Sequence, residues 1–278
     1  MNKGKLNIPM VNKPQFTAPK TENNKPNLNM AGSNKPKLNI PTGNKPKINI
    51  PPPPPQASGP QKLGIPSVNG RPPSVMIAVP AMEMVNAEFA QHLAMASANL
   101  VAHGIRINCA FNIGSVITIA RRNLVDIFMK SDFDYIWWVD SDMKFPVDAP
   151  LRLLSRDKEI VGCNYRRRRF PNPNFTGMMG SSGQFVEFQT TDLSPPLEKI
   201  DVLPHGLVMV RREVYEKVPQ PHYLQEFIPH LNLEIGEDIF FCQQVQKAGY
   251  EVWCDQELSR EIAHIGIFHF NYNLSVPK

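Results

Sequence analysis

One stretch decides the fold of this chain, and it reads Asp134-Tyr135-Ile136-Trp137-Trp138-Val139-Asp140-Ser141-Asp142-Met143. Its apolar run is rich in aromatic and β-branched residues, which is typical of a strand buried on both faces of a parallel sheet. The run ends abruptly in two carboxylates one residue apart, and parallel α/β sheets carry their functional groups where such strands end. We therefore expect Asp140 and Asp142 to lie at a sheet edge beside a cleft.

The spacing of these two aspartates suggests a metal site. Side chains alternate between the two faces of a strand, so both carboxylates would point to one side and Ser141 to the other. A hard divalent cation could then bind oxygens from one or both of them. A polar turn from a strand into a loop would have the same composition, so the spacing alone leaves both interpretations open.

Charge divides the chain into two parts. Residues 1–73 hold eleven Lys and Arg residues and a single acidic residue, Glu22, so this segment carries a net charge of +10 and residues 74–278 carry −5. The sequence pI of about 9.0 therefore comes from the N-terminal segment. Because the remainder is mildly acidic, a nucleic-acid-binding function cannot be inferred from the pI alone.

The N-terminal segment contains a degenerate repeat. Its units begin with Asn-Lys and start at Asn2, Asn12, Asn24, Asn34 and Asn44. Each unit has few apolar groups and proline recurs, so we expect a disordered tail that ends in a stiff proline run at residues 51–55. The tail would be either a solvated tether or a docking arm for an acidic partner such as DNA. We place the boundary of the folded domain between residues 73 and 74.

Apolar runs and helical spacings alternate from Ser74 onward. They predict strands at residues 75–80, 105–111, 134–139 and 159–163, and helices at residues 86–103, 115–130 and 147–155. Pro80 is expected to end the first strand and Ser115 to cap the second helix. Strands separated by helices in this way predict an α/β fold with a doubly wound, mostly parallel sheet flanked by helices.

The second half of the chain adds a loop and further elements. A long loop is expected at residues 164–183, and its run Arg166–Arg169 suits either a solvated patch or a phosphate-binding site. Antiparallel strands are predicted at residues 185–188, 200–203 and 207–211. A helix from Gly236 to Ala248 and a last strand at residues 250–254 complete the domain.

The cysteines and the apolar runs indicate the cellular compartment in which the protein is found. Four cysteines lie in or beside apolar runs without close metal-type pairing, which predicts reduced, mostly buried thiols. No signal peptide precedes the tail, and no apolar run approaches the roughly 18 residues needed to span a bilayer. We expect a soluble protein in the cytoplasm.

Taken together, these segments resemble the nucleotide-sugar glycosyltransferases of the GT-A fold, most closely the small phage and viral members of that class. The resemblance covers about residues 74–270 and depends on the order and spacing of several short motifs. These are the first strand with Pro80, Ile119-Ala120-Arg121-Arg122-Asn123, Asp140-Ser141-Asp142, Ile160-Val161-Gly162-Cys163-Asn164-Tyr165, Gly206, Glu237-Asp238 and His264-Ile265-Gly266. The resemblance implies a GT-A-like, Rossmann-related sheet.

The resemblance also implies a metal and a donor site. Asp140 and Asp142 match the Asp-x-Asp motif that holds Mn²⁺ or Mg²⁺ against the donor diphosphate, and His264 matches a further ligand. An imidazole among oxygen ligands favours Mn²⁺. The positions matched to the donor nucleotide are Pro80, Arg121, Arg122, Asp140 and Ser141. The two arginines would also suit ordinary salt bridges on a helix face, and a lone histidine is often purely structural.

The acidic pair Glu237-Asp238 matches the carboxylates that face the acceptor. In inverting members such a carboxylate deprotonates the attacking hydroxyl, and in retaining members it positions the acceptor or supports the transition state. Asp238 is the first candidate for the base and Glu237 the second. The alternative is that both simply complement the dipole of the helix that they open.

The resulting hypothesis is a metal-dependent glycosyltransferase that moves a sugar, a hexose, from a UDP-sugar to an acceptor hydroxyl, in the host cytoplasm if the protein is viral. The acceptor would be a hydroxymethylated pyrimidine in phage DNA, a glycan or a virion protein. Two other classes stay open. A nucleotidyltransferase would need a Gly-rich phosphate loop, which residues 80–90 lack, and a non-catalytic binding or scaffold protein would act through its tail.

Overall fold

The computed structural model describes residues 63–168, 175–181, 184–229, 232–266 and 270–271. All of these residues belong to one compact unit, Ala57–Lys278. The repeats and the proline run of the N-terminal tail lie outside the described residues, as do Arg169 and parts of the predicted loop at residues 164–183.

A mixed sheet forms the centre of this unit. Its strands, in order across the sheet, are β2 (Arg106–Ile113), β1 (Ser74–Ala81), β3 (Tyr135–Val139), β9 (Leu207–Arg211), β5 (Ile160–Gly162), β12 (Trp253–Asp255) and β8 (Leu197–Lys199). Five of the seven described strands run in one direction, and β9 and β8 run in the other. The predicted mostly parallel α/β sheet is thereby confirmed.

Helices cover both faces of the sheet. They are α1 (Ala87–Ala102), α2 (Ile117–Met129), α3 (Ala149–Ser155), α4 (Arg212–Lys217), α5 (Glu237–Lys247) and α6 (Gln256–Ser259). The core on one face contains α1, α3 and α6, and the core on the other contains α2, α4 and α5. No helix in the described part of the chain is long and apolar enough to cross a bilayer.

The strand β3 shows why the sheet is covered on both sides. Its five residues are fully buried, and they alternate between the two cores. Tyr135, Trp137 and Val139 pack with α1, whereas Ile136 and Trp138 pack with α2. An apolar run without polar alternation therefore predicted a central strand correctly.

Short strands lie outside the central sheet. One group joins β4 (Met143–Lys144), β13 (Ala263–His264) and β14 (Phe270–Asn271), and two hairpins pair β6 (Met178–Ser181) with β7 (Gln184–Glu187) and β10 (Glu226–Ile228) with β11 (Leu233–Ile235). The group around β4 matters for the site, because it joins the chain just after Asp142 to the strand that carries His264.

The helix α1 forms as its sequence predicts. The side chain of Asn86 accepts a hydrogen bond from the N–H of Glu88 at 2.8 Å and caps the first turn. The buried residues of the helix recur every three or four positions, as Phe89, Leu93, Ala96 and Leu100. Just beyond the C-cap, Gly104 takes a φ of +75°, which is open to glycine at no steric cost.

Two predicted boundaries are wrong. Ser115 does not cap α2, because the helix begins at Ile117 and its N-cap residue Val116 makes no side-chain cap bond. Pro80 does not end β1, which continues to Ala81. The pairing of β1 with β3 stops at Ala78, so Pro80 has a strand neighbour only on the β2 side and its missing N–H is tolerated.

A predicted strand at residues 200–203 is also absent from the described structure. The N–H of Ile200 donates to the carbonyl of Val252, whereas Val202 forms an isolated bridge with Met178. Backbone bonds that go to two different neighbours do not make a ladder, and the regular strand lies just before, at β8. The residues Ile200 and Leu203 are nevertheless buried in the core, as their apolar character suggests.

Residues just before Ser74 lie against the folded body. Leu63, Ile65 and Val68 pack against the core on the α1 face. Arg71 forms an ion pair with Asp134 at 2.7 Å. Residues 63–73 are thus part of the folded unit, although they are rich in proline and glycine.

The cysteines carry no disulfide. Cys109, Cys163, Cys242 and Cys254 are all free. Three are buried and Cys109 is exposed on the edge strand β2, so the prediction of unpaired, mostly buried thiols is confirmed.

Candidate functional site

A cleft opens at the C-terminal ends of β1 and β3. It encloses about 200 Å³ and is lined by Pro80, Ala81, Met82, Gly114, Ser115, Ile117, Asp140, Ser141 and Asp142. The structure therefore brings the predicted residues Pro80, Asp140, Ser141 and Asp142 to one place. This is the edge at which a parallel sheet presents its functional groups.

The two aspartates stand in a turn and not in a strand. β3 ends at Val139, the N–H of Asp140 donates to the carbonyl of Gly206, and the N–H of Met143 donates to the carbonyl of Asp140. The prediction that strand alternation points Ser141 away from both carboxylates is therefore wrong, because the chain has left the strand. The two carboxylates instead make different contacts across the cleft.

Asp142 lies beside His264. The pairing of β4 with β13 sets Met143 opposite His264, and the N–H of Ile265 donates to the carbonyl of Asp142 at 2.6 Å. The imidazole Nε2 is 3.3 Å from the Asp142 carboxylate. Arg168 Nη2 lies 2.8 Å from the same carboxylate oxygen, Oδ2. The structure thus brings together two residues that are 122 positions apart in the sequence.

Asp140 is joined to Glu237 through Arg121. The Arg121 Nη2 donates to Asp140 at 3.0 Å, and its Nε donates to Glu237 at 3.2 Å. The guanidinium is buried, with 2% of the residue exposed. It belongs to the buried face of α2, so one helix beneath the cleft links the end of β3 to the start of α5.

Burial and neighbouring charge act together on Asp140. Burial raises the pKa of Asp140 to about 6, and the carboxylates of Asp142 and Glu237 act in the same direction against the opposing charge of Arg121. At Asp142 burial also acts to raise the pKa, but the hydrogen bond and charge of His264 and the charge of Arg168 lower it overall. The cleft is therefore a place where negative charge is crowded and only partly compensated.

Glu237 and Asp238 open the helix α5. Its N-cap, Gly236, has no side chain to cap the helix, and the Asp238 carboxylate accepts a hydrogen bond from the N–H of Ile239 at 2.8 Å. Burial and the nearby charge of Glu237 raise the pKa of Asp238. A carboxylate that is partly shielded from water and has a raised pKa is suited to accept a proton.

Tyr165 is a site residue to which the sequence analysis gave no role. Its hydroxyl accepts a hydrogen bond from the N–H of Gly206 at 2.9 Å, and its ring meets that of His264 edge-on at 5.3 Å. Burial raises its pKa, and the charges of Asp140 and Asp238 raise it further, which places the phenol among the acidic groups. The available signal was its position three residues after β5, at the same edge of the sheet.

The remaining predicted residues lie apart from the cleft or at its rim. Arg122 is exposed, donates to the carbonyl of Thr118, and lines a different cavity, with His222. Of the predicted arginine run, Arg168 reaches Asp142, and Arg166 stacks over Phe175 with 4.2 Å between its guanidinium carbon and the ring centre. Through its contact with Asp142, Arg168 joins this run to the cleft.

The side chains at the cleft include carboxylates and an imidazole, which are types that bind divalent cations. His264 Nδ1 lies 3.3 Å from the carbonyl of Arg166, a second contact of the kind that metal-binding histidines make. If Nδ1 carries the proton, the Nε2 lone pair faces a carboxylate oxygen, so a further proton or a cation would stabilise the pair. However, no three metal-binding side chains converge on one point among the described residues. Asp142 and His264 approach each other, whereas Asp140 is turned towards Arg121.

No protein-family model matches the chain, and no curated protein matches its sequence. Among solved structures, A197 from STIV matches with a TM-score of 0.48 at 15% identity, over 74% of this chain and 97% of A197.

A second match is a Drosophila β-1,4-galactosyltransferase 7 mutant, solved with manganese, UDP-Gal and xylobiose. It has a TM-score of 0.34 at 16% identity, over 73% of this chain and 69% of the galactosyltransferase. At scores and identities this low, neither match indicates what this chain binds.

Proposed function

We propose that this protein is a metal-dependent glycosyltransferase that moves a hexose from a UDP-sugar to an acceptor hydroxyl. The observation that carries the proposal is the contact of His264 with Asp142, which lines the cleft together with Asp140. The acidic pair at the start of α5 is linked to Asp140 through Arg121. An inert domain has no need of carboxylates and an imidazole brought from separate segments to one sheet edge.

The donor would be bound along the wall that Pro80 and Asp140 line. Asp140, Asp142 and His264 would hold Mn²⁺ or Mg²⁺, and Ser141 would lie beside the nucleotide. When bound, the cation would supply Lewis-acid stabilisation of the diphosphate leaving group. Arg168, which already contacts Asp142, would lie close enough to bind a phosphate oxygen.

The acceptor would react on the α5 side of the cleft. Asp238 would accept the proton of the acceptor hydroxyl while its oxygen bonds to the anomeric carbon and the bond from that carbon to the diphosphate breaks. The shielding that raises the Asp238 pKa brings it closer to that of a general base working near neutral pH. In a retaining reaction, Glu237 and Asp238 would instead orient the acceptor.

The acceptor class follows from charge only in part. Four carboxylates around the cleft oppose a polyanion, so a DNA acceptor would depend on the arginine run and on the basic residues of the tail. The acceptors to test are hydroxymethylated DNA, a glycan and a virion protein.

The test is donor hydrolysis and transfer by purified protein. The protein would be incubated with Mn²⁺ and a panel of nucleotide-sugars, and free nucleoside diphosphate would be measured with and without each acceptor. We expect release from one donor, loss of release on chelation, and stimulation by the true acceptor. A folded protein that releases nothing from any donor would overturn the proposal in favour of a non-catalytic role.

A matched control variant distinguishes the loss of a carboxylate in the cleft from the loss of one elsewhere on the surface. Asp142→Asn should abolish release, whereas Asp132→Asn should not. Asp132 is 81% exposed on its side chain and pairs with Arg106 away from the cleft. Equal losses in both variants would indicate damage to the fold and would count against the proposed site.

A further inference from the structure

We infer that Arg121 is a positioning residue that sets the distance between the donor side and the acceptor side of the cleft. The inference rests on the proposed function, and it differs from the predicted role of Arg121 as a donor-binding residue. One planar cation holds a carboxylate from the end of β3 and a carboxylate from the start of α5. A ligand in the cleft would meet Asp140 and Glu237 already fixed relative to each other.

The surroundings of the guanidinium are those of an internal brace. The group is buried, and its central carbon lies 5.3 Å from the ring centre of Trp138 and 5.9 Å from that of Tyr223. The two rings restrict its movement, and the Trp138 indole N–H is itself tied to the Tyr215 hydroxyl at 2.8 Å. Arg121 is therefore poorly placed to swing out and bind a phosphate.

The energetics also favour a functional role over simple stabilisation. Burying an arginine is unfavourable unless its charge is paired and its donors are bonded. Arg121 pairs with two carboxylates, yet its buried Nη1 has no hydrogen-bond partner in the described structure. Apolar side chains in place of Arg121 and both of its carboxylate partners would fill the same space without an unsatisfied donor, so stability alone does not account for this charged group.

The shape of the side chain matters as much as its charge. Nε and Nη2 point along two fixed directions, and each reaches a different carboxylate. A lysine ammonium is a point charge on a flexible stem and cannot hold the same pair in a fixed geometry. Arg121→Lys therefore keeps the charge and changes the geometry alone.

The experiment measures steady-state kinetics and Mn²⁺ binding for Arg121→Lys, with wild type and Arg212→Lys beside it. Arg212 is a matched control at the other end of the sheet. It donates to the carbonyls of Phe133, Phe128 and Ser131, and it lies over the Phe128 ring. For Arg121→Lys we expect kcat to fall about 10–100-fold and Mn²⁺ to bind about tenfold more weakly, the usual range for a residue that orients ligands. The donor KM should stay within about threefold, and Arg212→Lys should leave all three quantities near the wild-type values.

A double-mutant cycle with Glu237→Gln adds a readout that a general loss of stability would not produce. If Arg121 acts through Glu237, the two losses in kcat are not additive. A rise in donor KM of tenfold or more with unchanged kcat would instead establish donor contact and overturn the inference. Unchanged kinetics, additive losses, or equal losses in Arg212→Lys would overturn it as well. A wild-type protein that turns over no donor and binds no Mn²⁺ would overturn the proposed function itself, and that result is seen before any variant is made.

Discussion

Two aspartates at opposite ends of the strand β3 have opposite environments. Asp134, just before the strand, accepts two hydrogen bonds from Arg71 at 2.7 and 3.0 Å and two from the N–H and hydroxyl of Ser74 at 2.8 and 2.7 Å. Asp140, just after the strand, is bonded by Arg121, which it shares with Glu237. The pKa of Asp134 is lowered despite its burial, because the donors outweigh that burial, whereas the pKa of Asp140 is raised to about 6.

The difference separates an acid that stabilises the fold from one that is available for chemistry. At Asp134 four donors bond the carboxylate, three of them to Oδ2 and one to Oδ1. At Asp140 burial is combined with few donors and with the charges of Asp142 and Glu237. Groups with shifted pKa values and incomplete pairing tend to lie at functional sites.

The largest effect is expected when Asp140 and Asp142, the two aspartates that follow β3, are neutralised. Asp140→Asn combined with Asp142→Asn should lower sugar transfer by at least about 10³-fold, the scale on which electrostatic stabilisation of a leaving group acts. Mn²⁺ binding, measured by calorimetry, should be lost, and circular dichroism should show an intact fold. Retained turnover would show that Asp140 and Asp142 do not form the metal site.

A smaller loss is expected on the acceptor side. Asp238→Asn removes the proposed base and should lower kcat roughly a hundredfold, within the range for general bases. The donor KM and the Mn²⁺ affinity should stay near the wild-type values, because Asp238 is not among the proposed ligands. Glu216→Gln, which changes an exposed acid on α4, serves as the control. A greater loss for Glu237→Gln than for Asp238→Asn would exchange their roles.

A substitution at Gly206 tests the packing beside Asp140 and Asp142. A Cβ at this position would collide with the Tyr165 hydroxyl and would lie 3.1 Å from the Met143 sulfur. Gly206→Ala should therefore destabilise the protein by about 1–3 kcal/mol in chemical denaturation, the usual range for overpacking. It should also lower turnover, since Tyr165 packs against His264. Gly64→Ala has no atom within 4 Å of the added Cβ and should be near neutral.

The fold was predictable where apolar runs decide burial. β3 and α1 lie where their sequences predict, because an uninterrupted apolar run or a regular helical spacing leaves one way to bury the side chains. The irregular segment around Ile200 was not predictable, since its backbone hydrogen bonds go to Val252 and Met178, which are distant in the sequence. Apolar composition indicated burial there but not the pairing.

The sequence offered candidate residues for the site but not the contacts between them. Asp142 and His264 were both candidates, but their adjacency depends on the pairing of β4 with β13. Arg121 was a candidate for donor binding, and the signal for its buried position was present in the sequence. It lies on the same helical stripe as Leu124, Val125 and Phe128, where a charged residue needs a buried partner. Which carboxylates are its partners could be learned only from the structure.

The smallest effect is expected at Asp134, just before β3, whose carboxylate accepts four hydrogen bonds. Asp134→Asn weakens the bonds to Arg71 and Ser74 and should cost about 1–2 kcal/mol of unfolding free energy at neutral pH, a modest value because Arg71 is partly exposed. Since folding lowers the pKa of Asp134, its contribution is present in full above about pH 4 and is lost as the pH falls through the folded value. Urea denaturation from pH 7 to pH 2 should therefore show the gap between wild type and variant closing below about pH 4, with turnover at neutral pH unaffected. Asp126→Asn, at an exposed position on α2, should show no such gap. A gap that persisted at low pH would mean that Asp134 is not held by charge, and the contrast between the two ends of the strand would then be one of burial alone.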